Sequence, residues 1–328
     1  FTPRQVTSGA GLEQHPALSP DGGFVAYAAV EAGNSDIWIT DLQGEASLRL
    51  APDEAWDESP AWFPDGGALV FVSDRGGAPG IWRVSRLGGE PRLLVPNAHD
   101  PAVSPDGRLL AFTRPNAEGF RRLAVAPLDR PDEARVLSPG GLRHDVDPAW
   151  SPDGRRILYA DFNHLWVVGL DGDPPLRLTA EGQVEMDPAW SPAGTHVDFS
   201  AFHGGLTGIW RRPVAGGDAE PVERGPGEAR WSSVSGDGRR LAFTSRTLQE
   251  TLVAIDTSTG RRARFEEAWR TQTPTVAPDG SRVLFVSTRQ NAVDLWQLRL
   301  GPNPLGGPPE RLTDLAGRVA WPRYSPDG

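Results

Sequence analysis

Three aspartates, Asp100, Asp147 and Asp187, each stand immediately before a proline, and the same place elsewhere is taken by His15, Ser59, Thr273 and Trp321, with Trp231 ahead of Ser232 in the remaining instance. Two residues further back stand Glu13, Asp57, Asp145 and Glu185. Carboxylates brought about 4 Å apart repel by roughly 1–4 kcal/mol per pair at effective dielectrics between water and protein surface, so a converging set favours a bound cation or a basic partner. Oxygen ligands in a chain without cysteine suit Ca²⁺ or Mg²⁺ better than zinc, which makes Asp100, Asp147 and Asp187 the candidate metal ligands and Ca²⁺ the candidate ion. Acid beside tryptophan also suits an Arg- or Lys-bearing peptide. On that reading the ligand-binding candidates are Glu13, His15, Asp57, Asp145, Glu185, Arg230, Trp231 and Trp321. The structural alternative is that Asp before Pro favours an extended or turn conformation at a strand entrance, with water screening the charges.

Other chemistries find little support. The 33 basic residues are all arginine, which removes Schiff-base chemistry and any phosphate-loop lysine. The absence of cysteine removes thiol nucleophiles and thiolate metal sites. No Gly-x-Ser-x-Gly elbow occurs. The histidines, His15, His99, His144, His164, His196 and His203, are scattered without a His-Glu-x-x-His pair, and His99, His144 and His203 are expected in loops. Forty-three acidic residues give a net charge of −10, the wrong sign for a surface that neutralises a phosphate backbone. The sequence therefore points to a protein that is not an enzyme and does not bind nucleic acid.

The elements that position these residues are set by a repeat. Ser-Pro-Asp-Gly or a near copy begins at Ser19, Phe63, Ser104, Ser151, Ser191, Ser235, Ala277 and Ser325, at steps of 40 to 48 residues, the interval of a four-stranded propeller blade. In each unit a Pro-Ala-Trp-Ser-like segment reads as strand a, with small Ala and bulky Trp on opposite faces. The Pro-Asp-Gly turn leads into an apolar strand b such as Val283 to Val286. Strand c carries Trp38, Trp82, Trp166, Trp210 or Trp296, and strand d ends near Leu-Thr, as at Leu178-Thr179. The 38 Gly and 32 Pro suit many short strands joined by tight turns. Each strand-c Trp reads as core, contributing roughly 1.5–3 kcal/mol or more by buried area.

The pattern x-Pro-x-Trp-Ser-Pro-Asp-Gly, apolar strand, Asp-Ile-Trp, Gly-Gly-x, Leu-Thr resembles the TolB-type, WD-like propeller repeat of bacteria, across practically the whole chain. It departs from that pattern at Ala193 and Gly236, and repeats three and six lack the strand-c Trp. The expected fold is all-β, a single propeller domain over 1–328 with repeats starting near 15, 59, 100, 147, 187, 230, 273 and 320. Seven repeats are complete, and Pro3 to Thr7 with Val319 to Ser325 are expected to share a partial eighth. Because strand a is innermost, both sets of carboxylates are expected at one mouth of a central channel.

The resemblance implies an extracytoplasmic sensor or interaction scaffold with a protein or peptide partner, periplasmic or extracellular. It also admits a second class: the substrate-gating propeller of a prolyl-oligopeptidase-like serine peptidase, whose catalytic domain would lie outside this chain. A metal-dependent lyase or hydrolase is a third class, disfavoured by sparse histidine. With no apolar run of 18 residues and a start at Phe1, neither signal peptide nor membrane span is expected, and the chain reads as a mature form or a fragment.

Overall fold

The computed structural model describes residues 4–7, 11–43, 47–139, 142–179, 184–203, 206–223, 228–246, 252–255, 262–265, 271–287, 293–300, 308–313 and 322–325. The first repeat contributes β1 (Leu12–Leu18), β2 (Phe24–Glu31), β3 (Asn34–Asp41) and β4 (Ser47–Leu50). The second contributes β5 (Asp57–Trp62), β6 (Ala68–Ser73), β7 (Gly80–Ser85) and β8 (Arg92–Pro96), and the third β9 (His99–Val103), β10 (Leu109–Pro115), β11 (Arg121–Pro127) and β12 (Arg135–Val136). The fourth is β13 (Val146–Trp150), β14 (Arg156–Ala160), β15 (Leu165–Gly169) and β16 (Leu176–Arg177). The fifth is β17 (Glu185–Trp190), β18 (His196–His203), β19 (Leu206–Pro213) and β20 (Glu220–Glu223). Each of these five sets forms one four-stranded sheet in sequence order.

The sixth repeat appears as two pairs, β21 (Glu228–Val234) with β22 (Leu241–Arg246) and β23 (Leu252–Ile255) with β24 (Arg262–Phe265). The seventh is again a four-stranded sheet: β25 (Thr271–Val276), β26 (Arg282–Ser287), β27 (Asp294–Arg299) and β28 (Glu310–Arg311). The fold is thus all-β and built of four-stranded antiparallel blades. Among the described residues no helix is long and apolar enough to cross a membrane.

Two compact units divide the chain. The first comprises 1–201, 209–222 and 230–244, and the second the remainder. In the first, the core consists of successive sheet-on-sheet interfaces, as radial stacking requires. Ile37 and Leu50 of the first repeat meet Leu69 and Phe71 of the second. Val70 and Ile81 of the second meet Leu110 and Phe112 of the third. Strand b is apolar on both faces because each sheet is covered twice, and β6 is buried along its whole length. The Trp and Ala of strand a interlock directly: Trp62, Trp150 and Trp190 donate their indole N–H to the backbone oxygens of Ala17, Ala102 and Ala149, at 2.9, 3.0 and 3.1 Å. Of the strand-c tryptophans, Trp210 and Trp296 are buried, while Trp38, Trp82 and Trp166 are half-buried.

The Pro-Asp-Gly turn, or its variants at Ala193 and Gly236, links strand a to strand b in the seven repeats. Ser19 Oγ donates to Asp21 Oδ1 at 2.6 Å, the N–H of Phe24 returns to Ser19 Oγ at 2.9 Å, and Gly22 holds a φ of 68° that favours glycine.

Within the first unit the sixth repeat lies beside the first. Leu18 N–H donates to Ser233 Oγ at 3.0 Å, and Ala242 packs against the buried group of Leu18, Val25, Tyr27 and Ala29. The partial eighth repeat expected from the two ends is not drawn as strands among the described residues. Arg4 to Thr7 and Pro322 to Ser325 carry none, and Pro3 and 319–321 lie outside those residues. Val6 packs on the first repeat instead. In the second unit the seventh repeat has its own small core of Val283, Phe285, Trp296 and Leu298.

Candidate functional site

The residues before proline do not sit in connecting loops. They lie inside strand a, at a β-bulge. In β1 the pairing runs Gln14 to Ala28 and then Ala17 to Ala26, so one extra residue is inserted at the His15-Pro16 step. The same slip occurs between Glu58 and Ala61, Val146 and Ala149, Met186 and Ala189, and Gln272 and Thr275. Proline has no N–H for the ladder, so a strand that contains one must bulge or lie at an edge.

At every bulge the residue before the proline position adopts the left-handed conformation. His15, Ser59, Asp100, Asp147, Asp187, Trp231 and Thr273 have φ between 49° and 53°. Of the extended or turn conformation expected for Asp before Pro, the extended alternative is not the one adopted. Proline disfavours the right-handed helical region for its predecessor, and a bulge needs a bent residue, which leaves the left-handed region. Asp and His tolerate it better than most residues, whereas Trp231 and Thr273 bear more strain.

This bend separates the two sets of carboxylates. Strand alternation would place residues such as Asp145 and Asp147 on one face, but the left-handed residue turns its side chain away, and only the second of each pair reaches the central pocket. Asp57 is fully buried in its blade, where Arg75 Nη2 donates to its two carboxylate oxygens at 3.1 and 2.8 Å. Asp145 accepts from the Leu123 N–H at 2.9 Å and from the Ser138 hydroxyl. Glu185 is buried beside Thr179, with Oε2 lacking a hydrogen-bond partner among the described residues. Glu13 takes the Thr7 hydroxyl. Burial pushes the Asp57 carboxyl up to about 6 and Glu185 up to about 7, and moves Asp145 upward as well. Glu13, Asp57, Asp145 and Glu185 are therefore not mouth residues.

The pocket itself, a cavity of about 130 Å³, is lined by His15, Ser59, Asp100, Asp147, Asp187 and Trp231, each followed by Pro16, Pro60, Pro101, Pro148, Pro188 and Ser232. Strands β1, β5, β9, β13 and β17 are neighbours in that order, and the His15 and Trp231 rings, 4.6 Å apart, complete the circuit. Asp100, Asp147 and Asp187 consequently form one arc and Trp231, His15 and Ser59 the opposite one.

The three aspartates differ in their partners. Arg230 grips Asp187 with two parallel bonds, Nε to Oδ2 and Nη2 to Oδ1, both 3.1 Å, and its guanidinium lies 4.4 Å from the Trp231 ring centre. Asp100 accepts from Thr113 Oγ1 at 2.7 Å and from Arg121 Nη1 at 3.1 Å. Asp147 has no hydrogen bond or ion pair among the described residues. Burial, then the charges of Asp187 and Asp100, hold its carboxyl well above the usual carboxylate range, with Arg230 and Arg121 opposing. His15 is moved the other way by burial, so its ring favours the neutral form, and its Nδ1 is shielded without a hydrogen-bond partner among the described residues.

The expected metal set is not assembled. Among the described residues no three His, Asp or Glu side chains are placed to hold a metal ion, and two of the three candidate aspartates have oxygens engaged by arginine. Trp321 lies outside the described residues. The other histidines stay apart. His99 opens β9 and His203 ends β18 rather than lying in loops. His144 Nδ1 accepts from the Arg121 N–H at 3.1 Å, and His164 lies 3.4 Å from Asp161. Sequence reasoning missed Thr113 and Arg121, on the next two strands of the blade of Asp100, and Arg75, in the turn after β6. The proline inside a strand was the available sign of the bulge.

A family model described as the TolB beta propeller domain matches residues 2–164 and 148–328. An uncharacterized protein of Agrobacterium fabrum is 28% identical over 187 residues, 55% of this chain and 62% of that protein. The crystal structure of TolB from Acinetobacter baumannii aligns with a TM-score of 0.55 and 16% identity, covering 86% of this chain and 62% of TolB. A puromycin hydrolase structure aligns with a TM-score of 0.54 and 21% identity, covering 90% of this chain and 53% of the hydrolase. The chain thus spans under two thirds of the length of each of these proteins, and the structural likenesses carry the fold alone.

Proposed function

This chain belongs to the TolB beta propeller domain family, and we propose that it is a non-catalytic binding module, an extracytoplasmic sensor or interaction scaffold whose central pocket receives a basic group of a protein or peptide partner. The observation that carries this reading is the ring of left-handed bulge residues, which aims three aspartates into one pocket and leaves Asp147 without a hydrogen-bond or ion-pair partner among the described residues. Electrostatic complementarity of that kind selects partners by charge and speeds encounter. The buried groups between blades are built mainly from strand b and strand c side chains and the strand-a tryptophans, and none of the six pocket bulge residues belongs to them.

A labelled arginine-rich peptide should bind the purified chain in fluorescence anisotropy, more weakly as salt rises, while a glutamate-rich peptide of equal length should not. Equal binding of both peptides, or of neither, would sink the reading, as would turnover of peptide or ester substrates by the chain alone.

One observation favours a second reading, a substrate-gating propeller of a serine peptidase: the puromycin hydrolase that shares this fold is about twice as long as the aligned region. On that reading the catalytic serine belongs to a separate domain, since no Gly-x-Ser-x-Gly occurs here. Hydrolysis that appears only when this chain is joined to such a domain would favour it.

A further inference from the structure

The three pocket aspartates share a backbone geometry, and two of them are completed from within the chain: Asp187 by Arg230, Asp100 by Arg121 and Thr113. Asp147, between them on the arc, is not. Repeat equivalence shows why. Arg230 immediately precedes the sixth bulge residue and reaches back to the fifth, and the residue in the same place one repeat earlier is Met186, a thioether with no charge to offer Asp147.

Across the circuit, three strands away in either direction, stands His15, whose shielded Nδ1 has no hydrogen-bond partner among the described residues. The charges facing Asp147 are Asp100, Asp187, Arg121 and Arg230, which pair off, with His15 favouring its neutral form. Among the described residues, Asp147 is the pocket aspartate without a hydrogen bond or ion pair of its own, and Arg230 and Arg121 act on it only from their places on Asp187 and Asp100.

Building on the pocket-binding reading above, we propose that the site takes a single guanidinium or primary ammonium group, anchored on Asp147 in the way that Asp187 anchors Arg230. A planar guanidinium donates two parallel N–H bonds to a carboxylate, a geometry the neighbouring aspartate already displays. His15 faces it across the pocket with a ring that favours the neutral form, so no further positive charge opposes the cation there. A head group of this size suits a cavity of about 130 Å³. A bare Ca²⁺ ion suits it less, since it needs roughly 6–8 oxygen ligands and Asp100 and Asp187 are held by arginines. Where Asp147 carries a proton, that proton leaves to solvent as the cation enters, so charge balances.

The source of the group, a free amine or a basic side chain of a partner, is separated by the choice of probe. Saturation-transfer NMR with methylguanidinium, and anisotropy with a labelled arginine-rich peptide, would be run on the chain and on Asp147→Asn, with Ca²⁺ as a separate titrant. Methylguanidinium should bind the wild-type chain and weaken about 10- to 100-fold in the variant. Its affinity should rise with pH in the wild type, as the Asp147 carboxyl gives up its proton, and stay flat in the variant, whose melting temperature should be undiminished. Equal methylguanidinium binding by both proteins, or Ca²⁺ binding that methylguanidinium does not displace, would overturn the proposal. If the peptide binds both proteins equally, the pocket-binding reading survives and the Asp147 anchor fails; if it binds neither, both fail.

Discussion

Repeats four and five present the same residue on the same backbone to the same pocket, yet Asp187 is gripped by an arginine and Asp147 is not. The difference comes from one position, Arg230 against Met186. Sequence repetition fixes where a side chain points. The charge state it adopts is decided by a neighbour that the repeat leaves free to vary.

The largest effect should come from breaking the filled member of the pair. Arg230→Ala would leave Asp187, 5% exposed, as a buried charge without its partner, and should cost about 3–5 kcal/mol in urea unfolding at neutral pH. Adding Asp187→Asn to that variant should recover much of the loss, and a variant that stays as unstable would mean that Arg230 acts through its packing on Trp231.

Glu185 sharpens the comparison, because it lies on the same strand as Asp187 but faces the blade interior. Burial pushes its carboxyl in the folded chain up to about 7, above the ordinary 4.5. Between those values the unfolded chain loses its proton and the folded one keeps it, so stability falls as pH rises through that window. The contribution is roughly 1–3 kcal/mol. Glu185→Gln should flatten this part of the stability profile, and an unchanged slope would assign it elsewhere.

Smaller effects are expected on the rest of the arc. Arg121→Ala should cost about 1 kcal/mol or less, since Arg121 and Asp100 are both partly open to solvent. Asp147→Asn should be neutral or stabilise by up to about 1 kcal/mol at pH 8, because it removes an acid whose ionisation the fold opposes. A clear loss of stability in thermal unfolding would mean that Asp147 has a structural partner.

Much of the blade was legible in the sequence. The Ser-Pro-Asp-Gly turns, the doubly covered strand b and the Trp and Ala interlock follow from local residue chemistry repeated in register, and each is found as expected. The pocket residues His15, Asp100, Asp147 and Asp187 were legible too, because proline marks their position, and Trp231 was legible from its equivalent place in the repeat. The fate of Glu13, Asp57, Asp145 and Glu185 was not. Period-two alternation places them beside the pocket acids, and only the bulge, a backbone property visible through the pairing register, turns the two sets apart. Nor did the sequence reveal which arginine meets which aspartate, since Arg121 comes from the same blade as Asp100 and Arg230 from the blade after Asp187.

The bulge also has a consequence for how such a molecule can change. A left-handed residue at the head of each inner strand is displayed toward the pocket while its neighbours, Ala17 and Trp62 among them, carry the contacts between blades. Recognition and assembly are thereby written in separate letters of the same strand. His, Ser, Asp and Trp already occupy this slot in one chain, so the ring amounts to a six-letter word that mutation can respell one blade at a time, and a library randomised at those six places alone would sample new ligands on an unaltered scaffold.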